Sequence, residues 1–231
     1  MKKYYFLAAL ILTITLVGLN STVAKQESKE SLLTFRANKS ALWFKHPGSE
    51  TEKTKKDTVE ASLKGKLYDS PQQIIEINKE KEVNRDTALG IVISYFSSST
   101  KGNANWIASN FVDEEKDEIK KLLTKKEFLK ERQKSASKIE SEYLVGEAKH
   151  KDYTILFIEQ RYKDSEKIIE PLACKKTKDG WRITNSLSND ETFDIIFAAL
   201  ASGEVTNNNG ITLRKNSLAA KIRKPEIKIV R

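Results

Sequence analysis

Apolar and polar positions alternate with two different periods along this chain, and the switches between periods divide it. From Val59 to Leu67, the apolar residues Val59, Ala61, Leu63 and Leu67 interleave with Glu60, Ser62, Lys64 and Lys66. A period of two marks a half-buried strand. Ahead of it, LLTFRA (32–37) and ALWFK (41–45) are rich in aromatic and branched residues and predict two further short strands. Ser70-Pro71-Gln72-Gln73 then carries an N-cap serine, a proline at the first helical position and a glutamine at the third, so a helix is expected from Pro71. A second start near Asp86 leads into Leu89, Val92, Ile93 and Phe96 at i, i+3, i+4 and i+7, the most buried helix of the chain.

ANWIASNF, carrying Trp106, Ile107 and Phe111, predicts a short helix or turn. Asp113 opens a charged amphipathic helix with Ile119, Leu122 and Leu123 as its apolar stripe. A second capping box, Thr124 to Glu127, restarts the chain into Phe128 and Leu129. From Glu140 the period returns to two. ESEYLVGEAKH, YTILFIEQRY, KIIEPLACKKT and WRITNSL are joined by KD, KDSE and KDG, loop lengths suited to an antiparallel meander. Apolar residues at successive positions Ile155 to Ile158 make the second of these strands central. In the fourth, Trp181 is in phase with Ile183 and Leu187, which reads as a strand anchor behind an Asp179-Gly180 turn. Ser188 to Glu191 open a last helix that closes at Gly203, and TNNNG reads as a linker.

The first residues change the picture of where the protein resides. Lys2 and Lys3, an apolar run from Tyr4 to Leu19, and Thr22-Val23-Ala24 follow the order of a secretory signal peptide cleaved near Ala24. The expected product is exported: periplasmic, cell-surface or secreted. The alternative is an uncleaved signal acting as a membrane anchor. Cleavage leaves 207 of 231 residues and lowers the formal charge from +9 to +7, enough for one domain with an extension. The expected division is a signal at 1–24, a β-rich segment at 25–69, an α+β domain at 70–203 and a basic tail at 204–231. In that tail, ITLRKNSLAAKIRKPEIKIVR, seven Lys or Arg stand against one Glu. It is expected to be an added edge strand or a flexible basic arm, with Arg214, Lys215, Lys221, Arg223 and Lys224 available to an anionic surface. Export makes nucleic acid the less favoured partner.

Candidate chemistry is sparse. Cys174, the only cysteine, shares a strand face with Ile168 and Leu172 and reads as a small buried hydrophobe. His46 and His150 sit beside lysines in loop-like settings and read as solvated. No serine stands in a G-x-S-x-G elbow, and no P-loop, dinucleotide or calcium-loop spacing occurs. The acidic run Asp113 to Glu118 is interrupted by a lysine and suits a helix first turn better than a cation site. No metal, no cofactor and no catalytic residue is expected. Asn38-Lys39-Ser40 is a glycosylation sequon. Trp43, Trp106 and Trp181 each sit at an apolar phase and read as core residues, with Trp106 the first place to look for a pocket mouth.

Leading helices, DTALGIVISYFSSSTKGNANWIASNF, followed by LFIEQRY through KKTKDGWRITN as a sheet, resemble the NTF2-like (cystatin-like α+β) superfamily of small exported bacterial proteins over roughly residues 86–200. The resemblance implies helices on one face of a curved antiparallel sheet, with a cone between them that takes a small molecule or an outer face that takes another chain. On that reading Trp106, Tyr95 and Tyr143 are the ligand-binding candidates. The expected function is non-catalytic binding of a partner protein, an envelope component or a small apolar ligand. The alternatives are an enzyme using Tyr95, Tyr143 or Glu159 for acid-base work in the cone, and a structural subunit of an envelope or secretion assembly.

Overall fold

The computed structural model describes residues 30–42, 58–164, 166–210 and 212–214. The signal segment, Trp43, His46 and the tail from Lys215 through Lys221, Arg223 and Lys224 to the C-terminus lie outside them, as does the side chain of Arg214. Among the described residues no helix is long and apolar enough to cross a membrane.

Two strands, β1 (Ser31–Asn38) and β2 (Thr58–Gln73), precede the helices α1 (Ala88–Thr100), α2 (Ala104–Ser109), α3 (Asp113–Thr124) and α4 (Lys126–Ala136). The meander follows as β3 (Ile139–His150), β4 (Tyr153–Tyr162), β5 (Lys167–Thr177) and β6 (Gly180–Ile183). Helix α5 (Glu191–Ser202) and a terminal hairpin, β7 (Glu204–Asn207) and β8 (Thr212–Arg214), complete the order. All eight strands form a single antiparallel, open sheet in the order β6-β5-β4-β3-β2-β1-β7-β8. The protein is therefore α+β, as the periods predict.

The expected helix at Pro71 is not formed. Ser70 to Gln73 stay extended as the end of β2, where Gln72 pairs with Leu144 and Gln73 with Tyr143 after a register shift that begins at Leu67. Proline is tolerated in a sheet at such an irregularity, where no ladder donor is required. Long-range pairing with β3 outweighs the local capping signal, and β2 runs straight across the expected boundary at residue 69. The residues read as a linker also pair: Leu33 to Arg36 of β1 take Asn207 to Glu204 of β7 as partners. The strand expected at 41–45 begins instead as a 3-10 turn over Lys39–Ala41, capped by the Asn38 side chain, which accepts from the Ser40 N–H at 3.2 Å.

Helix starts follow local chemistry more closely. Thr87 caps α1 by accepting the Gly90 N–H at 3.0 Å. Asp190, rather than Ser188, caps α5 by accepting the Phe193 N–H at 2.9 Å. Thr124 does not cap α4, because its hydroxyl turns back to the Lys121 carbonyl at 2.7 Å.

Strand alternation sorts the core into two clusters. Ile155 and Phe157 of β4 belong with Leu33, Phe35, Val145, Ala173 and the α5 residues Ile196 and Leu200. Leu156 and Ile158 belong with Leu144, Cys174, Ile183 and the helical residues Ile91, Val92, Phe96, Ile107 and Leu123. Successive strand residues point to opposite faces, so α5 covers one face while α1 to α3 cover the other. Helical residues are thus found in both clusters. Leu187 follows α5 into the first cluster, out of phase with Trp181, because the strand ends at Ile183.

Candidate functional site

The three residues expected to bind ligand do not converge. Trp106 is buried at 2% exposure, and its indole N–H donates to Ser94 Oγ at 2.8 Å. Ser94 in turn donates to Asn110 Oδ1 at 2.5 Å, and the Asn110 amide reaches Ser98 Oγ at 3.2 Å and the Trp106 carbonyl at 2.8 Å. Every polar group of this buried chain has a partner, which fixes α1 against α2 and makes Trp106 a core residue. Tyr95 is partly buried beneath the Arg132 guanidinium, 4.5 Å from its ring centre. Tyr143 packs against the other cluster, beneath Arg161 at 4.2 Å. Glu159 is the cross-strand partner of Tyr143 and accepts from Arg161 Nε at 2.7 Å. Of the conceivable acid-base groups, then, two meet on one face while Tyr95 lies on the other.

A polar group that the sequence reading missed lies on the helix-covered face containing α1, α2 and α3. Glu142, Gln160 and Glu170 occupy positions of β3, β4 and β5 in phase with Leu144, Ile158 and Leu172. Gln160 Nε2 donates to Glu142 Oε1 at 3.2 Å, and Tyr162 OH donates to Gln160 Oε1 at 3.2 Å. Burial raises the Glu142 carboxyl to about 8; the Gln160 bond opposes the rise, while Glu76 and Glu170 add to it. Burial also raises Glu170, against the pull of Arg132. Tyr162 is held up at about 12 by burial and by Glu170 and Glu142. From the helical layer, Arg132 of α4 reaches over, donating from Nε to Ser99 Oγ at 3.0 Å, and Glu76 accepts from Thr100 Oγ1 at 2.7 Å. Burial thus favours the protonated form of Glu142, beside a second raised carboxyl, Glu170, which Arg132 pulls the other way. That combination can hold or release a proton near neutrality.

Two further expectations meet the structure here. Cys174 is fully buried, and burial pushes its thiol up to about 12, so it is a packing residue with no thiolate character. His150 is not solvated. Its side chain is only 11% exposed, with Nε2 3.0 Å from Asp190 Oδ1, while Lys151 Nζ donates to Oδ2 at 2.6 Å. Burial acts upward on Asp190, but the bonds from Lys151, the Phe193 N–H and His150 hold it down at about 2. Among the described residues, no group of three or more His, Cys, Asp or Glu side chains could hold a metal ion.

A surface groove of about 700 Å³ runs between α3 and the turn after β6, lined by Glu115, Ile119, Leu122, Lys125, Asn185 and Ser186. Glu115 is engaged within it, accepting from Thr184 Oγ1 at 2.6 Å and from the Asn185 N–H at 2.9 Å. Comparison with family models, with characterised proteins and with solved structures finds no match for this chain.

Proposed function

We propose that this is an exported NTF2-like binding protein that contacts a partner protein, an envelope component or a small apolar ligand without chemically changing it. The observation that carries the reading is the filled interior of the helix-covered face: Ile91, Val92, Ile107, Ile158 and Cys174 are at most 1% exposed. Side chains of the chain itself occupy the volume where a cone would take a substrate. Binding is then a property of the outer surface, with the basic tail adding contacts to an anionic surface. Cross-linking of the full chain in native envelope, followed by mass spectrometry, is expected to recover one partner in stoichiometric amount.

A second reading has its own support. Two raised carboxyls on a shared face are the pattern that acid-base catalysis uses. Failure to recover any partner, together with a small-molecule turnover that Glu142→Gln abolishes in a folded protein, would replace binding by catalysis.

A further inference from the structure

The turn joining α3 to α4 carries a surface that the buried cluster does not explain. On its inner side Ile119, Leu123 and Leu129 pack into the helix-covered face. On its outer side Leu122 is 41% exposed and Phe128 is 46% exposed, although the apolar stripe predicts Leu122 to point inward. One lysine brackets both. The Lys125 N–H donates to the Leu122 carbonyl at 3.2 Å, the Phe128 N–H donates to the Lys125 carbonyl at 3.0 Å, and Lys125 Nζ lies 5.7 Å from the Phe128 ring centre. Lys120, Lys121, Lys125, Lys126 and Lys130 are all exposed around the turn, against Glu118, Glu127 and Glu131, with Glu115 lining the groove beside Leu122 and Lys125. The first-turn acids of α3, Asp113, Glu114 and Glu115, lie at the opposite end of a helix about 18 Å long, with Asp117 and Glu118 between them and the turn. Helix-dipole complementarity accounts for that charge order. It does not account for two large apolar side chains left in water amid lysines.

We propose that the α3–α4 turn docks on an anionic lipid bilayer, with Leu122 and Phe128 entering the headgroup boundary and Lys121, Lys125 and Lys126 meeting lipid phosphates. Charge complementarity chooses this occupant. Protein hot spots favour Trp, Tyr and Arg in a well-packed, desolvated pocket, whereas this turn offers paired apolar tips and point-charge lysines on long stems. Such a surface needs no fixed geometry from its partner, which suits a fluid headgroup layer. The proposal rests on the binding reading above and narrows its envelope component to lipid.

The test places a reporter at the turn itself, which separates this contact from any made by the N-terminal segment or the basic tail. Full-length Leu122→Cys, Phe128→Cys and Asp113→Cys are labelled with a polarity-sensitive fluorophore, the buried Cys174 thiol being unreactive. Vesicles of phosphatidylcholine with phosphatidylglycerol should shift the labels at 122 and 128 to the blue, pure phosphatidylcholine should not, and the label at 113, at the far end of α3, should stay in water. Lys121→Glu with Lys125→Glu should weaken the response about tenfold or more. No shift at 122 and 128 with anionic vesicles, or an equal shift with neutral ones, would overturn the proposal. The first result would leave a protein partner as the occupant.

Discussion

The two faces of the sheet are built from the same strands by different means. The α5 face is closed by apolar contact: Phe35 meets Phe157 edge to face at 5.6 Å, and Leu33, Ile155 and Ile196 are fully buried beside them. The other face also buries hydrocarbon, around Ile91, Val92 and Ile158, yet accommodates Ser94, Asn110, Glu142 and Gln160 inside it as well. An apolar face gains from every carbon it removes from water. A face with interior polar groups must satisfy each of them first, and this one does so by assembling four short helices rather than one. The interior polar groups thus reside on the face where packing is harder to achieve.

Substitutions rank that contrast. Phe157→Ala should have the largest effect, costing about 3–5 kcal/mol in denaturant unfolding, because a fully buried aromatic leaves a cavity that its neighbours fill only in part. Next comes pH. With Glu142 raised to about 8 in the fold, the folded state holds a proton that the unfolded state has already released. The contribution of Glu142 to stability is therefore full below the usual carboxylate range and is lost as pH rises from about 4.5 to about 8. Glu142→Gln should flatten that slope in a series of thermal melts, and a slope unchanged by the substitution would remove Glu142 as its source.

Asn110→Ala should cost about 2 kcal/mol by stripping partners from Ser94 and Ser98, with a change in Trp106 fluorescence as its local signature. The smallest effect is expected at Asp190→Ala, about 1 kcal/mol, through loss of the α5 cap. Its pH dependence has the opposite sign to that of Glu142. A carboxyl held near 2 supports the fold above its ordinary range and loses that support as pH falls from about 4 to about 2. Acid should thus weaken the α5 side, and alkali the side of α1 to α4. A single pH profile of one sign, unchanged in both variants, would break the comparison.

Much of the architecture is legible in the sequence because it is local. The meander follows from alternation and short turns: Lys151 and Asp152 join β3 to β4, and Gly180, at φ 99°, opens β6. Helix α1 follows from its period. What the sequence hides is decided at long range. Ser70-Pro71 carries a helix-start signal, yet β3 captures its backbone; Thr206 and Asn207, the first residues of TNNNG, look like a linker until β1 supplies an edge for them. The acidic pair has a readable trace, since Glu170 stands in phase with Ile168, Leu172 and Cys174 on a face otherwise apolar. Its coupling to Glu142 depends on strand register, which no single segment states. Leu122 misleads for a related reason: an apolar residue at helical spacing faces inward only if the neighbouring elements reach that far.

The pairing of β1 with β7 has a further consequence for how the molecule comes into being. Arg36 bonds Glu204 across 168 residues of chain, and α5 packs on the strands formed first. Contacts of such sequence separation reward the chain only after a long loop has closed, which makes folding slow. Until the last part of the polypeptide has emerged, β1 has no partner on its outer edge and the α5 face has no cover. An open strand edge on β1 and an uncovered apolar face beside it thus persist until residues 191–207 have been made, while the local meander β3 to β6 needs neither.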